Sequence, residues 1–382
     1  MRYRKNPQNG DLLSALGFGC MRFSKNEQET EKQVLSAIEQ GVNYFDTAYL
    51  YPGKEATLGR ILCEHRDKVK IATKIPPFLI KKYDDFDRIF NTQLERLQTD
   101  HIDYYFIHSL GSLSDWERLL PIGVEKWIAS QKASGRIANI GFSFHGGNTE
   151  FIRIIDAYGW EFCMIQFNYL DETNQAGKNG LSYAHGKGIP VMAMEPLRGG
   201  MLASRLPKEA ISIFEKAGVS RSPAEWGLRW VLNHPEILTA LSGMNSQEMV
   251  DENIRIAGQA EAGSLTGQEL AIYDDVKRVL LKNTKVACTG CGYCMPCPKG
   301  VDIPLCFTSY NALGLESRLR ARFQYITYVG KNNASLCVQC GKCEKHCPQG
   351  IAIRDELKAV MKTMERFPYR PARYVINKAM RK

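Results

Sequence analysis

Short apolar runs alternate with longer amphipathic stretches from the N-terminus to about residue 260. The runs Ala15–Phe18, Val42–Asp46, Lys70–Lys74, Ile102–His108, Asn139–Phe142, Phe162–Phe167, Pro190–Met194 and Ile237–Leu241 are short and rich in β-branched or aromatic residues. That pattern predicts strands buried on both faces, as in a parallel sheet. Between them, Thr30–Glu39 sets Val34, Leu35 and Ile38 at helical spacing, and Phe86–Leu97, Trp116–Ser134, Thr149–Tyr158, Pro223–Leu232 and Gln247–Ile256 read as helices in the same way. Ser222 before Pro223 marks a helix start, and Gly135, Gly159 and Gly188 fall where helices should end. Eight strand–helix units of this size predict a (β/α)₈ TIM barrel, an α/β fold. The alternative is an open doubly wound sheet. It finds no support, because no G-x-G-x-x-G lies between a strand and a helix; Gly17-Phe18-Gly19-Cys20-Met21 has only two of those glycines.

The pattern changes after residue 262. Leu270, Ile272, Val276, Val279 and Leu280 suggest a connecting helix over 263–285. A cysteine-rich domain is expected over 286–350 and a basic tail over 351–382, leaving 1–262 for the barrel. Hydrophobic residues make up 44% and charged residues 24%, which excludes a disordered or collagen-like chain. No apolar run is long enough to span a membrane. Met1-Arg2-Tyr3-Arg4-Lys5 leads into Asn6-Pro7-Gln8-Asn9-Gly10 rather than an apolar stretch, so no secretory signal is expected and the compartment reads as cytoplasmic. The net charge is +9, and 351–382 supplies +6 of it: Arg354, Lys358, Lys362, Arg366, Arg370, Arg373, Lys378, Arg381 and Lys382 against Asp355, Glu356 and Glu365. This tail reads as a solvated, partly helical segment or as a docking surface for an acidic electron-transfer protein. Nucleic acid is not expected, since no stacking or base-reading motif accompanies the charge.

Four polar residues stand at or just beyond successive predicted strand ends: Asp46, Tyr51 five residues later, Lys74 and His108. In a barrel these ends face one mouth. Their types suit carbonyl reduction. A ketone accepting a hydride gathers negative charge on oxygen and needs a proton donor. Tyrosine, with a pKa of about 10 in water, is too weak an acid near neutrality. A neighbouring lysine stabilises tyrosinate, an aspartate keeps that lysine charged and oriented, and a histidine can hydrogen-bond the carbonyl oxygen.

Residues 1–260 resemble the aldo-keto reductase family. The resemblance rests on Gly41-Val42-Asn43-Tyr44-Phe45-Asp46-Thr47-Ala48-x-x-Tyr51, Ala72-Thr73-Lys74, Asp103-Tyr104-Tyr105-Phe106-Ile107-His108 and Ile140-Gly141-Phe142-Ser143. It continues through Gln166-Phe167-Asn168-Tyr169, Glu195-Pro196-Leu197-x-Gly199-Gly200, Leu228-Arg229-Trp230-Val231-Leu232 and Glu252-Asn253. It implies a nicotinamide-dependent reductase of a small-molecule carbonyl, with Tyr51 as acid, Lys74 and Asp46 tuning it, and His108 orienting the carbonyl. It further implies that Ser143 and Gln166 hold the nicotinamide carboxamide. The Pro196–Met201 loop, with Leu197, Gly199 and Gly200, and the Ser242–Asn245 loop, with Gly243, would line the pyrophosphate and adenosine end, near Asn253. Three positions depart from the family. Phe144 and His145 follow Ser143 where an asparagine is common. A ring-stacking tyrosine is replaced near Met194. Gly243 and Met249 stand where relatives carry basic residues around a 2′-phosphate. The cofactor is therefore read as NADP or NAD.

Nine of the twelve cysteines crowd into 288–347. In a long chain without a signal, cysteines in C-x-x-C units point to metal rather than disulfides. Cys337-x-x-Cys340-x-x-Cys343-x-x-x-Cys347-Pro348 is the bacterial ferredoxin run, whose fourth cysteine reaches to the other cluster. Cys288-x-x-Cys291-x-x-Cys294-x-x-Cys297-Pro298 repeats it with a last gap one residue shorter. The expected assignment is two [4Fe–4S] clusters, one on Cys288, Cys291, Cys294 and Cys347, the other on Cys337, Cys340, Cys343 and Cys297, with Cys306 as the reserve ligand. Structural zinc is the competing reading. Cys20, Cys63 and Cys163 read as small core residues. The 38 residues between Pro298 and Cys337, with basic Arg318, Arg320 and Arg322, read as largely helical and resemble the α-helical ferredoxin type. The whole reads as a carbonyl reductase carrying a dicluster domain, or as an electron-transfer or redox-sensing protein whose barrel binds nicotinamide without significant turnover.

Overall fold

The computed structural model describes residues 1–314, 318–367, 369 and 371. Arg370, Arg373, Lys378, Arg381 and Lys382 of the basic tail lie outside the described residues. Packing divides the chain into two compact units. One holds residues 1–204 with 220–270; the other holds 205–219 with 271–382.

The first unit is a closed barrel of eight parallel strands: β3 (Leu16–Gly19), β4 (Tyr44–Asp46), β5 (Lys70–Ile75), β6 (Ile102–Leu110), β7 (Ile137–Phe144), β8 (Phe162–Gln166), β9 (Val191–Met194) and β10 (Ile237–Ser242), which pairs back to β3. Every predicted strand is present, each shifted by a residue or two at its ends. A hairpin that the pattern does not announce precedes them, β1 (Tyr3–Lys5) with β2 (Leu12–Ser14). Its Leu13 enters the barrel interior, and Asn6 Nδ2 donates to the buried Tyr104 hydroxyl at 3.1 Å.

Local chemistry sets the helices. Asn26 Oδ1 caps Glu27–Glu39 by accepting from the Gln28 and Glu29 amides. Ser222 caps Pro223–Leu232 through the Glu225 amide. The helix expected over 116–134 is broken instead. Pro121 and the left-handed Gly123 (φ 96°) split it into Leu113–Glu117, a short turn and Val124–Ala133. Three helices that the sequence pattern did not single out also form, Lys54–Leu62, Gly177–Gly186 and Lys208–Glu215.

Strand alternation places the site. Tyr44, Ala72, Phe106, Met164 and Met192 point inward and build one apolar cluster. Side chains two residues further along each strand share that orientation. They are Asp46, Lys74, His108, Gln166 and Met194, stacked above the core at the C-terminal mouth.

The second unit is mostly helical: Ile303–Asn311, Arg318–Gln324, Tyr325–Val329 and Ile353–Met364. Val301, Ile303, Phe307, Ala321, Tyr325, Leu357 and Val360 form its own buried core. The helix Gly267–Asn283 passes from one unit into the other. Among the described residues no helix is long and apolar enough to cross a membrane.

Candidate active site and cluster site

Asp46, Lys74 and His108 are 4%, 2% and 2% exposed at the barrel mouth. A buried ammonium is tolerated only when it is paired and hydrogen-bonded. Lys74 Nζ is paired with Asp46 and gives two of its three hydrogens to oxygen, to Asp46 Oδ1 at 2.5 Å and to the Thr47 carbonyl at 2.7 Å. The same Nζ lies 5.3 Å from the centre of the Tyr51 ring. Tyr51 is half-buried on the loop after β4, and its ring meets the His108 ring edge-on at 6.1 Å. Burial raises the Asp46 carboxyl above its usual range, and Lys74 opposes that shift. Burial, with Lys74 and His145 adding to it, holds His108 well below the usual imidazole range. His108 is therefore a neutral hydrogen-bonding group rather than a cation.

A second network behind β5, which the sequence pattern does not reveal, fixes this arrangement. The buried Glu55 carboxylate accepts from Thr73 Oγ1 (2.6 Å) and Gln93 Nε2 (2.7 Å). Gln93 Nε2 also reaches the Lys74 carbonyl at 3.2 Å. The helix that begins just beyond Tyr51 is thereby clasped to the strand that carries Lys74.

Around the mouth, Ser143 Oγ accepts from the Ser109 amide at 2.7 Å. Ser109 is left-handed (φ 55°) and interrupts the β6–β7 register just past His108. Gln166 donates to Asp171 Oδ2 (2.8 Å) and accepts from Gln175 (2.6 Å). Asp171 also pairs with the buried Arg198, 3.1 Å away. Neither partner is predictable from periodicity, because both sit on loops. Met194 packs at the edge of the barrel core and Pro196 is buried. The backbone then turns left-handed at Glu195, Arg198, Gly199 and Gly200. Two non-glycine residues in that region within one loop indicate strain of the kind held at ligand sites. The loop closes through the Gly200 amide on the Leu197 carbonyl at 2.9 Å. Gly243 and Asn245 are exposed after β10, and a Cβ at Gly243 would lie 3.2–3.4 Å from the Arg22 stem. Asn253 is buried and donates to Ser242 Oγ at 3.0 Å, so it pins the strand end.

The two cysteine blocks have matching backbones. Gly290 and Gln339, Gly292 and Gly341, and Gly300 and Gly350 share left-handed φ at equivalent places. A helix starts six residues after Cys297 and six after Cys347. Burial pushes the Cys294 thiol up to about 12, and the neighbours that add to this are Cys291, Cys288 and Cys347. Cys337 acts on Cys343 in the same way. The Gly290 amide donates to Cys288 Sγ and the Gln339 side chain to Cys337 Sγ, both at 3.4 Å. Sulfurs met by N–H donors on glycine-rich loops suit iron–sulfur ligation, where such bonds tune the cluster. Cys306 stands apart. It is fully buried on a helix, 3.7 Å from the Tyr325 hydroxyl. Among the described residues no three His, Cys, Asp or Glu side chains are gathered to hold a single metal ion.

Comparison with known proteins agrees with both units. Residues 15–276 match the aldo/keto reductase family, and residues 287–352 match a 4Fe-4S dicluster domain. A 6-dehydroglucose reductase of Novosphingobium aromaticivorans is 27% identical over 286 residues, covering 68% of this chain and 90% of that protein. The methylglyoxal reductase YeaE of Escherichia coli is 29% identical over 249 residues, covering 60% and 81%. An aldo-keto reductase of Klebsiella pneumoniae, solved with NADP and acetate, superposes with a TM-score of 0.60 at 24% identity, covering 72% of this chain and 96% of that one.

Proposed function

The chain belongs to the aldo/keto reductase family, and we propose that it reduces the carbonyl of a small aldehyde or ketone with NADPH or NADH, using Tyr51 as general acid. The nicotinamide, when bound, supplies the hydride. Everything else falls to the chain. The Tyr51 hydroxyl delivers a proton to the oxygen as negative charge gathers there. The Lys74 ammonium makes that transfer easier by stabilising the tyrosinate left behind. Asp46 fixes Lys74 in place, and the Thr47 carbonyl accepts a second of its hydrogens. Neutral His108 orients the carbonyl and shares its developing charge without competing as an acid. Ser143 and Gln166 would hold the nicotinamide carboxamide. Met194 would pack beneath it, and the loops around Pro196, Leu197, Gly199, Gly200, Gly243 and Asn245 would take the phosphates and adenosine.

The observation that carries this reading is the Lys74 ammonium, buried between Asp46 at 2.5 Å and the Tyr51 ring at 5.3 Å. That the Klebsiella pneumoniae aldo-keto reductase was solved with NADP supports a nicotinamide dinucleotide as cofactor. Single-turnover oxidation of bound NADPH by a reactive aldehyde, under anaerobic conditions, tests it. Tyr51→Phe should slow the reaction ~10²–10⁴-fold. Equal rates would remove the acid role. No turnover by the wild type across a broad carbonyl panel would favour a barrel that senses or relays electrons.

The cluster ligands follow from the same reasoning: Cys288, Cys291, Cys294 and Cys347 hold one [4Fe–4S] cluster, and Cys337, Cys340, Cys343 and Cys297 the other. The grouping of Cys347 with the first triplet supports the exchange of fourth ligands between the blocks.

A further inference from the structure

The two cysteine blocks share a backbone but not a surface. Of the eight proposed cluster ligands Cys340 is the exposed one, and the other seven are half-buried. The places around Cys340 also differ from their counterparts in the first block. Val338, one residue after Cys337, is 57% exposed, whereas Thr289, one residue after Cys288, is 4% exposed. Leu336, on the other side of Cys337, is a second exposed apolar side chain. Lys342 and Lys345 are exposed where the first block carries the uncharged Tyr293 and Pro296. A duplicated frame has thus kept one copy neutral and made the other basic and open.

The nearby carboxylates do not cancel this charge. Residues 331–354 hold Lys331, Lys342, Lys345 and Arg354 against Glu344 alone. Arg354 occupies that carboxylate, its Nε donating to Glu344 Oε2 at 2.7 Å and its backbone amide to Oε1 at 2.8 Å. The same guanidinium lies against the cysteine loop, since a Cβ on Gly341 would stand 3.6 Å from its central carbon. Asp355 is held by Lys358 at 2.8 Å, and Glu365 by the Tyr325 hydroxyl at 2.7 Å. Among the described residues Lys342 and Lys345 have no carboxylate within ion-pair range. The result is a small apolar spot beside an exposed cluster ligand, rimmed by uncompensated positive charge. Small interfaces of this kind suit brief redox encounters. Charge around the rim sets which partner approaches and how fast.

We propose that the loop from Leu336 to Lys345 is the docking surface for an acidic one-electron carrier protein, and that the cluster held by Cys337, Cys340 and Cys343 is the one that exchanges electrons with it. One electron moves between carrier and cluster. One is oxidised as the other is reduced, and no proton moves and no bond changes. The inference rests on the reading that both blocks hold [4Fe–4S] clusters.

The test measures the affinity of the anaerobic, full-length holoprotein for an acidic plant-type ferredoxin at low salt, about 0.05 M. Replacing Lys342 and Lys345 together by glutamate should weaken binding by about fivefold to 30-fold, through two lost ion pairs and the repulsion that replaces them. Electron exchange with the reduced ferredoxin should slow in parallel. Replacing both lysines by glutamine should weaken binding by about threefold to tenfold, and this milder pair keeps the measurement available if the glutamate pair does not fold. Iron content should stay at the wild-type value in each, because neither lysine is a proposed ligand. The control carries the same change of net charge in the first block, with Lys285 and Lys299 replaced by glutamate, and should bind as the wild type does. Equal weakening in the two glutamate pairs would show that binding follows net charge alone and overturns the proposal. So does an iron-loaded wild type that does not bind the ferredoxin, or a wild-type dimer that the Lys342 and Lys345 changes dissolve. A protein that holds no iron overturns the cluster reading itself.

Discussion

Replacing Lys74 with methionine removes the cation beneath Tyr51 and keeps most of its volume. The ammonium lies 5.3 Å from the centre of the Tyr51 ring, and a unit charge about 5 Å away would interact with it by about 3 kcal/mol in an effective dielectric of about 20. That is worth about two pH units of acidity in the phenol. If Tyr51 must be protonated to act, the rate of carbonyl reduction falls on an alkaline limb, and Lys74→Met should move that limb up by about two units. The plateau near neutrality should fall by about tenfold to 100-fold, because a weaker acid transfers its proton less readily. Single-turnover oxidation of bound NADPH by a reactive aldehyde, followed from about pH 6 to pH 11 to bracket the tyrosine range, reads both quantities. A plateau that falls while the limb stays fixed would show that Lys74 acts on something other than Tyr51. Stability gives a separate check. The variant leaves the Asp46 carboxylate buried without its ammonium, at a cost of roughly 3–5 kcal/mol. Burial already raises that carboxyl, so the folded variant binds a proton more tightly than its unfolded chain. Its stability should be greatest in acid and be lost as pH rises through the folded-state pKa. Adding Asp46→Asn should restore stability but not rate.

Three further outcomes are expected. His108 and His145 are both held below the usual imidazole value of about 6.5, His145 at about 4; the unfolded chain binds more protons in that window. The urea midpoint should therefore decline as pH falls from about 6.5 towards 4, less steeply in His145→Gln, and identical slopes would refute the burial argument. Anaerobically purified protein should contain about eight irons per chain; Cys306→Ser should leave that content unchanged and Cys297→Ser should reduce it, and the reverse result would exchange their roles. A Cβ at Gly17 would lie 2.7 Å from the Leu241 side chain and 2.9 Å from the Tyr44 ring, so Gly17→Ala should destabilise the barrel by about 1–3 kcal/mol in denaturant unfolding.

The barrel was legible because its strands are buried on both faces, and each therefore writes a compact apolar run into the sequence. The hairpin Tyr3–Ser14 was not: its strands are three residues long, and Leu13 is the one apolar side chain they add to the barrel core. The helix Gly177–Gly186, with three glycines and a histidine among its ten residues, carries no usable period and is set by packing. At the mouth, Asp46, Lys74 and His108 stood out because polar residues ended apolar runs. Their supports did not. Glu55 and Gln93 come from helices, and their meaning lies in partners far along the chain, while Asp171 and Gln175 come from loops just beyond Gln166, which they hold, where no period marks them. The two cysteine blocks were plain from spacing. That Cys306 is a core residue needed the Tyr325 hydroxyl and the packing around it.

Cys347 lies among the neighbours of Cys294, and the proposed crossing of Cys347 to the Cys288–Cys294 triplet would have a consequence for assembly. A ligand set drawn from both ends of a segment acts as a cross-link, closing one long loop over the helices between. Under the proposed exchange, Cys297 closes a second loop in the opposite sense, so neither half of the duplicated motif can complete a cluster alone. Loading then becomes a cooperative event coupled to the folding of 287–352, and truncation within either half forfeits both clusters. Iron supply would then set the folded state of residues 287–352.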